Sequence, residues 1–310
     1  MRGLGVLSVL LLGVLVGCGP AGEPAAPDAG PERALPREVT AEESATLRRA
    51  ELVLERRCMA RAGFDLPPVP EPARTGPPPP PMRLVLADTA WAREHGYGSL
   101  VGTPGQSAAA RAEDPVERYV RGLTPQRRAA ALRAWQGGGR DTVEVTLPSG
   151  MTTGRSTRGC TSEARGELYG DFRTWFGADA VDRDVVSLAL SRAEADPAVT
   201  EALRGWSACV AGRGLPHASP HRLRAALGTS APEAEEIRYA VAEAGCAVSS
   251  GLAEAAADAE RRHLCALRAR YRADVANARG MRLAALPEAE RIVRGEDPSR
   301  QNTLRGRGTT

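Results

Sequence analysis

Two segments, CMARAGF at residues 58–64 and CVAGRGL at residues 209–215, share the pattern C-[MV]-x-x-x-G-[FL]. A helix-favouring stretch precedes each segment, and the glycine within the segment lies where helices commonly end. The pattern predicts an internal repeat, in which a cysteine lies in the last turn of a helix and bonds to a later element.

The helix before Cys58 has a clear predicted beginning. Thr40 and Glu43 match a capping box, in which the two side chains satisfy the first free amides of a helix. Apolar residues then recur at intervals of three and four, at Leu47, Ala50, Leu54 and Cys58. This spacing predicts the face of the helix that is buried.

The rest of the chain also favours helix. Asp196-Pro197 and Thr124-Pro125 pair an N-cap residue with proline at the first helical position. A long helical region is predicted from Pro232, with a break at 249–251 and a last turn or two from Pro287. We therefore expect a mainly α, disulfide-stapled helical bundle, divided into an N-terminal half (40–177) and an all-helical C-terminal half (178–295).

Extended chain is predicted only in the N-terminal half. Residues 142–147 alternate apolar and polar side chains, and Pro148-Ser149-Gly150 follows, which indicates a hairpin near 142–155. Residues 84–86 are predicted to be a short strand. The proline-rich insert at 65–81 is incompatible with helix or a central strand, and residues 296–310 are predicted to be a disordered tail.

The N-terminus has the features of an export signal. Arg2 precedes an apolar run of 13 residues from Leu4 to Val16, which is too short to span about 30 Å of hydrocarbon as a helix but suits a signal peptide. Leu15-Val16-Gly17-Cys18 resembles the lipobox of bacterial lipoproteins. The resemblance implies a lipid on Cys18, cleavage of residues 1–17 and attachment to the extracytoplasmic face of the bacterial cell membrane. The alternatives are a plain signal peptide with a chance cysteine, or an uncleaved anchor.

Residues 18–39 are rich in proline and alanine and show no apolar periodicity. Proline-rich chain favours an extended conformation. We expect this segment to be a tether between the lipid and the folded part of the chain.

Five cysteines remain besides Cys18. Export places them where disulfides form, and the repeat together with sequence order predicts the pairs Cys58–Cys160 and Cys209–Cys246. Cys265 is left over. Arginines lie at helical spacing around it, and they would lower the pKa of its thiol, so Cys265 is a possible reactive thiol. The alternatives are a bridge to another cysteine or an idle thiol.

Composition excludes several classes of function. The sequence contains no lysine, so all 41 basic residues are arginine, against 38 acidic residues. Chemistry that needs a lysine amine, such as Schiff-base catalysis or a Walker A loop, is therefore excluded. Arginine and acidic residues are interleaved, which argues against a nucleic-acid partner. No catalytic, metal or cofactor motif is found, so no catalytic residue, metal ligand or cofactor is predicted.

The lipobox, the two C-[MV]-x-x-x-G segments, residues 206–209 and the region around Cys246 together resemble an uncharacterised group of secreted lipoproteins of actinobacteria. The resemblance implies export and disulfides, and it carries no activity. We therefore expect a lipid-anchored extracytoplasmic binding or interaction protein of the cell envelope. Its partners would be the membrane, through the lipid on Cys18, and an envelope protein or cell-wall component. The alternative is a cell-envelope hydrolase, or a redox-active thiol protein centred on Cys265.

Overall fold

The structure is a computed structural model that describes residues 34–68, 84–98, 114–139, 141–227 and 231–295. The chain divides into residues 1–34 and residues 35–310, and every described helix and strand belongs to the second unit.

The described residues form eleven α-helices and one two-stranded sheet. The helices are α1 (Ala41–Arg61), α2 (Thr89–His95), α3 (Pro115–Gly122), α4 (Pro125–Gln136), α5 (Cys160–Tyr169), α6 (Phe172–Glu194), α7 (Pro197–Gly212), α8 (Pro220–Leu227), α9 (Glu233–Ser249), α10 (Leu252–Arg270) and α11 (Arg272–Val293). The strands are β1 (Thr142–Thr146) and β2 (Thr152–Ser156), which pair antiparallel with Glu144 opposite Gly154. The predicted fold class, mainly helical with a small hairpin and two disulfides, is confirmed.

One part of the core lies where α1 packs against α5 and α11. Leu47, Ala50 and Leu54 form the buried face of α1, as the sequence spacing predicts. They meet small side chains on the facing helices, including Ala164 of α5 and Ala289 of α11. Small residues let helix axes approach closely, and this helps a chain with 4% aromatic residues to form a dense core.

A second part of the core surrounds Trp206, which is fully buried between α7, α9 and α10. The indole Nε1 donates a hydrogen bond to the carbonyl of Glu243 at 3.2 Å. A buried tryptophan needs such an acceptor, because an unpaired N–H in the core costs free energy.

Both copies of the cysteine repeat adopt the predicted local structure. Cys58 lies in the last turn of α1, and Gly63 follows with a φ of 83°. Cys209 lies in the last turn of α7, and Gly214 follows with a φ of 77°. Only glycine adopts such positive φ angles readily, which explains its place in the pattern.

Three boundaries differ from the sequence predictions. Residues 84–86 form no strand, because the amide of Leu86 donates to the buried Glu243 side chain instead of to a neighbouring strand. Pro287 lies inside α11 rather than at a helix start, since the packing of this helix on α1 outweighs the lost backbone hydrogen bond. The predicted division at 177/178 falls within α6, so the two halves share one helix.

The last residues of the predicted tether are held on the folded unit. The Glu38 carboxylate pairs with Arg268 and with Arg279, the latter at 2.6 Å. Arg279 also donates to the carbonyl of Pro36 at 3.2 Å. The predicted signal peptide (1–17), most of the tether (18–39) and the tail (296–310) lie outside the described residues.

Candidate functional site

A groove, here called the Glu55 groove, lies between α1, α3 and α4 and has a volume of about 480 Å³. This volume is within the range of about 300–1,000 Å³ that is typical of small-molecule sites. The apolar side chains that line it are Leu52, Leu66, Val116, Val120, Leu132 and Trp135. Two of them remain exposed to solvent in this structure, Leu52 at 39% and Leu132 at 45%.

Helical spacing places these side chains on facing surfaces. Leu52 and Glu55 are three residues apart on α1, as are Leu132 and Trp135 on α4. Residues three or four apart share one face of a helix. The entry of α3 is fixed by Asp114, whose side chain accepts hydrogen bonds from the amides of the first turn at 2.8 and 3.0 Å.

Glu55 has a carboxyl group whose pKa is raised by its surroundings in the groove. Burial raises the pKa of its carboxyl, and hydrogen bonds from Thr161 and Trp135 only partly offset that rise. Trp135 donates its indole Nε1 to the Glu55 Oε2 atom at 3.3 Å. Glu55 forms no ion pair within the described part of the chain.

The rest of the groove is acidic. Asp114 and Glu117 also line it, and neither forms an ion pair with a described residue. Arg56 is the one guanidinium among the described lining residues, and it donates to the carbonyl of Leu66 at 3.2 Å. The groove therefore combines apolar walls with three carboxylates, none of which forms an ion pair with a described residue.

A second cavity of about 330 Å³ lies between α1, α6 and α11. Several of its charged groups are already paired: Glu51 accepts from Tyr169 at 2.7 Å and from Arg165 at 3.2 Å. Arg282 bridges Asp179 at 2.5 Å and Asp182 at 2.6 Å. Burial, and then the Glu51 charge, raise the pKa of Tyr169, so its hydroxyl stays a donor. These pairs join four helices, and we interpret them as a structural network.

A third polar cluster surrounds Glu243, which is fully buried. Its carboxylate accepts hydrogen bonds from the Leu86 amide at 2.7 Å, from the Tyr97 hydroxyl at 2.8 Å, and from the Nε and Nη2 atoms of the Arg224 guanidinium. Burial is the main cause that raises the pKa of Tyr97, followed by the Glu243 charge. The cluster attaches residues 84–97 to α8 and α9, which is a structural role.

The structure forms both predicted disulfides. Cys58 is bonded to Cys160, and Cys209 to Cys246, with Cα–Cα distances of 5.4 and 5.6 Å. Cys58–Cys160 joins the end of α1 to the start of α5, next to the Glu55 groove.

Cys265 differs from its prediction as a possible reactive thiol. It is disulfide-bonded in this structure and does not titrate. The structure therefore does not show the free thiol that the sequence predicts at Cys265. The predicted lipidation site, Cys18, lies outside the described residues.

Sequence reasoning did not nominate Glu55 or Trp135. Glu55 is one of many glutamates, and its burial depends on α4, which is about 80 residues away in the chain. The available signal was weak: Leu52 is an apolar residue on α1 that lies off the Leu47 stripe. An apolar residue outside the buried face of a helix indicates a second packing surface or a binding surface.

The described residues contain no group of three or more histidine, cysteine, aspartate or glutamate side chains placed to hold a metal ion. In the same ranges, no helix combines the length and the apolar character needed to cross a membrane. No protein-family model, curated protein or solved structure matches the chain.

Proposed function

We propose that this chain is a lipid-anchored, extracytoplasmic binding protein of the cell envelope, and that the Glu55 groove takes the apolar part of its ligand. The observation that carries the proposal is the groove, with its apolar walls and partly exposed Leu52 and Leu132. Exposed apolar surface in a concavity gains free energy when a ligand covers it, by about 25 cal/mol per Å².

The cellular location is supported by the sequence at the N-terminus and by disulfides. The lipobox-like segment ends at Cys18, and the Cys58–Cys160 and Cys209–Cys246 bonds are compatible with an oxidising compartment. The likeness to secreted lipoproteins of actinobacteria belongs to the same proposal.

Binding is favoured over hydrolysis by the kind of residues in the groove. Its described lining residues are leucine, valine, tryptophan, arginine and carboxylates. Such a lining supplies contact area and charge, and the described lining residues include no hydroxyl, thiol or imidazole that would form a nucleophile–base pair.

The lipid anchor is tested by the variant Cys18→Ala. We expect the wild-type protein to partition into the detergent phase of Triton X-114, and we expect the variant to lose metabolic labelling with palmitate. If the wild-type protein takes up no label, the anchor part of the proposal is wrong, while the groove is unaffected.

Binding is tested with N-phenylnaphthylamine, a neutral apolar fluorophore, and the full-length protein. We expect saturable binding that Leu132→Glu weakens at least ~10-fold, because a charge is then placed against an apolar ligand. The matched control is Met151→Glu, since Met151 is 66% exposed and does not line the groove. Equal effects of the two variants, or no saturable binding, would refute the proposal.

A further inference from the structure

We propose that the Glu55 groove selects a small organic cation, an amine attached to an apolar body, and that the amine pairs with the Glu55 carboxylate. This inference rests on the proposed binding function and names the class of ligand. It is carried by two features of the groove: its apolar walls, and its carboxylates, which form no ion pair with a described residue.

The first step concerns Glu55 itself. Glu55 lines the groove and is partly buried, and among the described residues its carboxylate receives hydrogen bonds from Trp135 and Thr161. Neutral donors compensate a buried negative charge less well than a cation does. A ligand ammonium would supply the missing counter-charge, and the Trp135 indole beside it would offer an aromatic surface that favours cations.

The second step concerns the other charged groups around Glu55. On α1, Glu51 lies one turn earlier and Arg56 is the next residue. The positive charge of Arg165 on α5 lowers the pKa of Glu55, but Arg165 itself pairs with Glu51 at 3.2 Å. Arg56 is bonded to a backbone carbonyl. These two described arginines are therefore engaged with other groups.

The third step concerns the opposite wall. Asp114 and Glu117, both at the start of α3, line the groove across from Glu55. They raise the local negative potential, which attracts cations and repels anions. The described lining residues include three carboxylates and one guanidinium, and this charge balance favours an amine over a neutral or anionic head group.

The fourth step concerns size. A groove of about 480 Å³ accommodates a small molecule. The apolar walls fit an aliphatic or aromatic body, and the carboxylates fit a single cationic group. We therefore favour a small amphiphilic amine over a macromolecular partner.

The inference is tested with three ligands of one shape: 4-phenylbutylamine, 4-phenylbutanol and 4-phenylbutyrate. Each is titrated into the full-length protein, and displacement of N-phenylnaphthylamine reports binding. We expect the amine to bind at least ~10-fold more tightly than the alcohol, since a hydrogen bond to a charged group contributes more than a factor of ten. The carboxylate should bind most weakly.

The variant Glu55→Gln keeps the shape of the side chain and removes the charge. We expect it to abolish the preference for the amine and to leave binding of the alcohol within ~3-fold, which also shows that the variant is folded. Glu163→Gln is the matched control on α5, because Glu163 pairs with Arg61 and does not line the groove. It should leave the preference unchanged.

A pH titration of the wild-type protein provides a second measurement that does not depend on a variant. Acidification protonates Glu55 and removes the preference for the amine. Because burial raises the pKa of Glu55, the loss should occur at a higher pH than for an exposed glutamate.

The outcomes separate the two proposals. If none of the three ligands nor the fluorophore binds, the proposed function fails. If the alcohol binds as tightly as the amine, or Glu55→Gln keeps the preference, the cation inference fails while the apolar groove stands. If a cationic peptide competes more than 100-fold better than 4-phenylbutylamine, the small-molecule assignment is wrong and the groove is a protein-docking surface.

Discussion

The variant Glu243→Gln should destabilise the protein strongly, although glutamine has nearly the same size as glutamate. Glu243 is fully buried, and its carboxylate accepts from the Leu86 amide, the Tyr97 hydroxyl and Arg224. Glutamine offers one acceptor oxygen and turns an NH₂ donor toward these donors. It also leaves the Arg224 guanidinium, whose side chain is 17% exposed, without its counter-charge.

Removal of one partner from a buried ion pair typically costs about 3–5 kcal/mol. Because Arg224 retains some contact with solvent, we expect a value near the lower end, about 3 kcal/mol. For a domain of this size that corresponds to a fall in Tm of about 6–12 °C. The free energy of unfolding is measured by urea denaturation followed by circular dichroism, under non-reducing conditions.

Glu233→Gln is the control, because Glu233 is an exposed glutamate on the same helix. It should change the free energy of unfolding by about 0.5 kcal/mol or less. The double variant Arg224→Gln with Glu243→Gln should cost about 1–3 kcal/mol less than the sum of the single variants, since the two side chains are in contact. A loss below about 1 kcal/mol for Glu243→Gln, or additive effects, would refute the reasoning.

Two further predictions concern the N-terminal half. The paired variant Cys58→Ala with Cys160→Ala opens a loop of 102 residues. The chain-entropy model gives a fall in the free energy of unfolding of about 5 kcal/mol. A fall below about 1 kcal/mol, measured by urea denaturation, would contradict the role of this bond. Hydrogen bonds from Arg37 and from the Thr40 amide lower the pKa of Glu43 to about 2. The stability that this carboxylate contributes should therefore be lost as the pH falls through about 2. An NMR titration should find this pKa, and Arg37→Ala should raise it toward 4.5.

Local features of the fold were predictable from the sequence. The capping box at Thr40 and the glycines after Cys58 and Cys209 depend on interactions within a few residues, and all appear in the structure as expected. The two disulfide pairs were also predicted correctly, because a matched local pattern marked two helix ends.

Features that depend on distant packing were not predictable in the same way. Residues 84–86 have the composition of a strand, but the buried carboxylate of Glu243 takes the amide that a neighbouring strand would have paired. Pro287 reads locally as a helix start, but the packing of Ala285 and Ala289 keeps α11 continuous. The candidate site was missed for this reason too, since Glu55 acquires its surroundings only when α3, α4 and α5 assemble around it.

The Cys58–Cys160 bond has a consequence for when the groove is complete. Glu55 lies one turn before Cys58, and Thr161, which donates to Glu55, directly follows Cys160. The disulfide thus holds the helix ends that carry the donor and the carboxylate next to each other, and this bond is absent when the chain is first synthesised. Under the proposed location, the protein would acquire its full affinity only after export and oxidation. Before export, the reduced protein would bind the ligand more weakly.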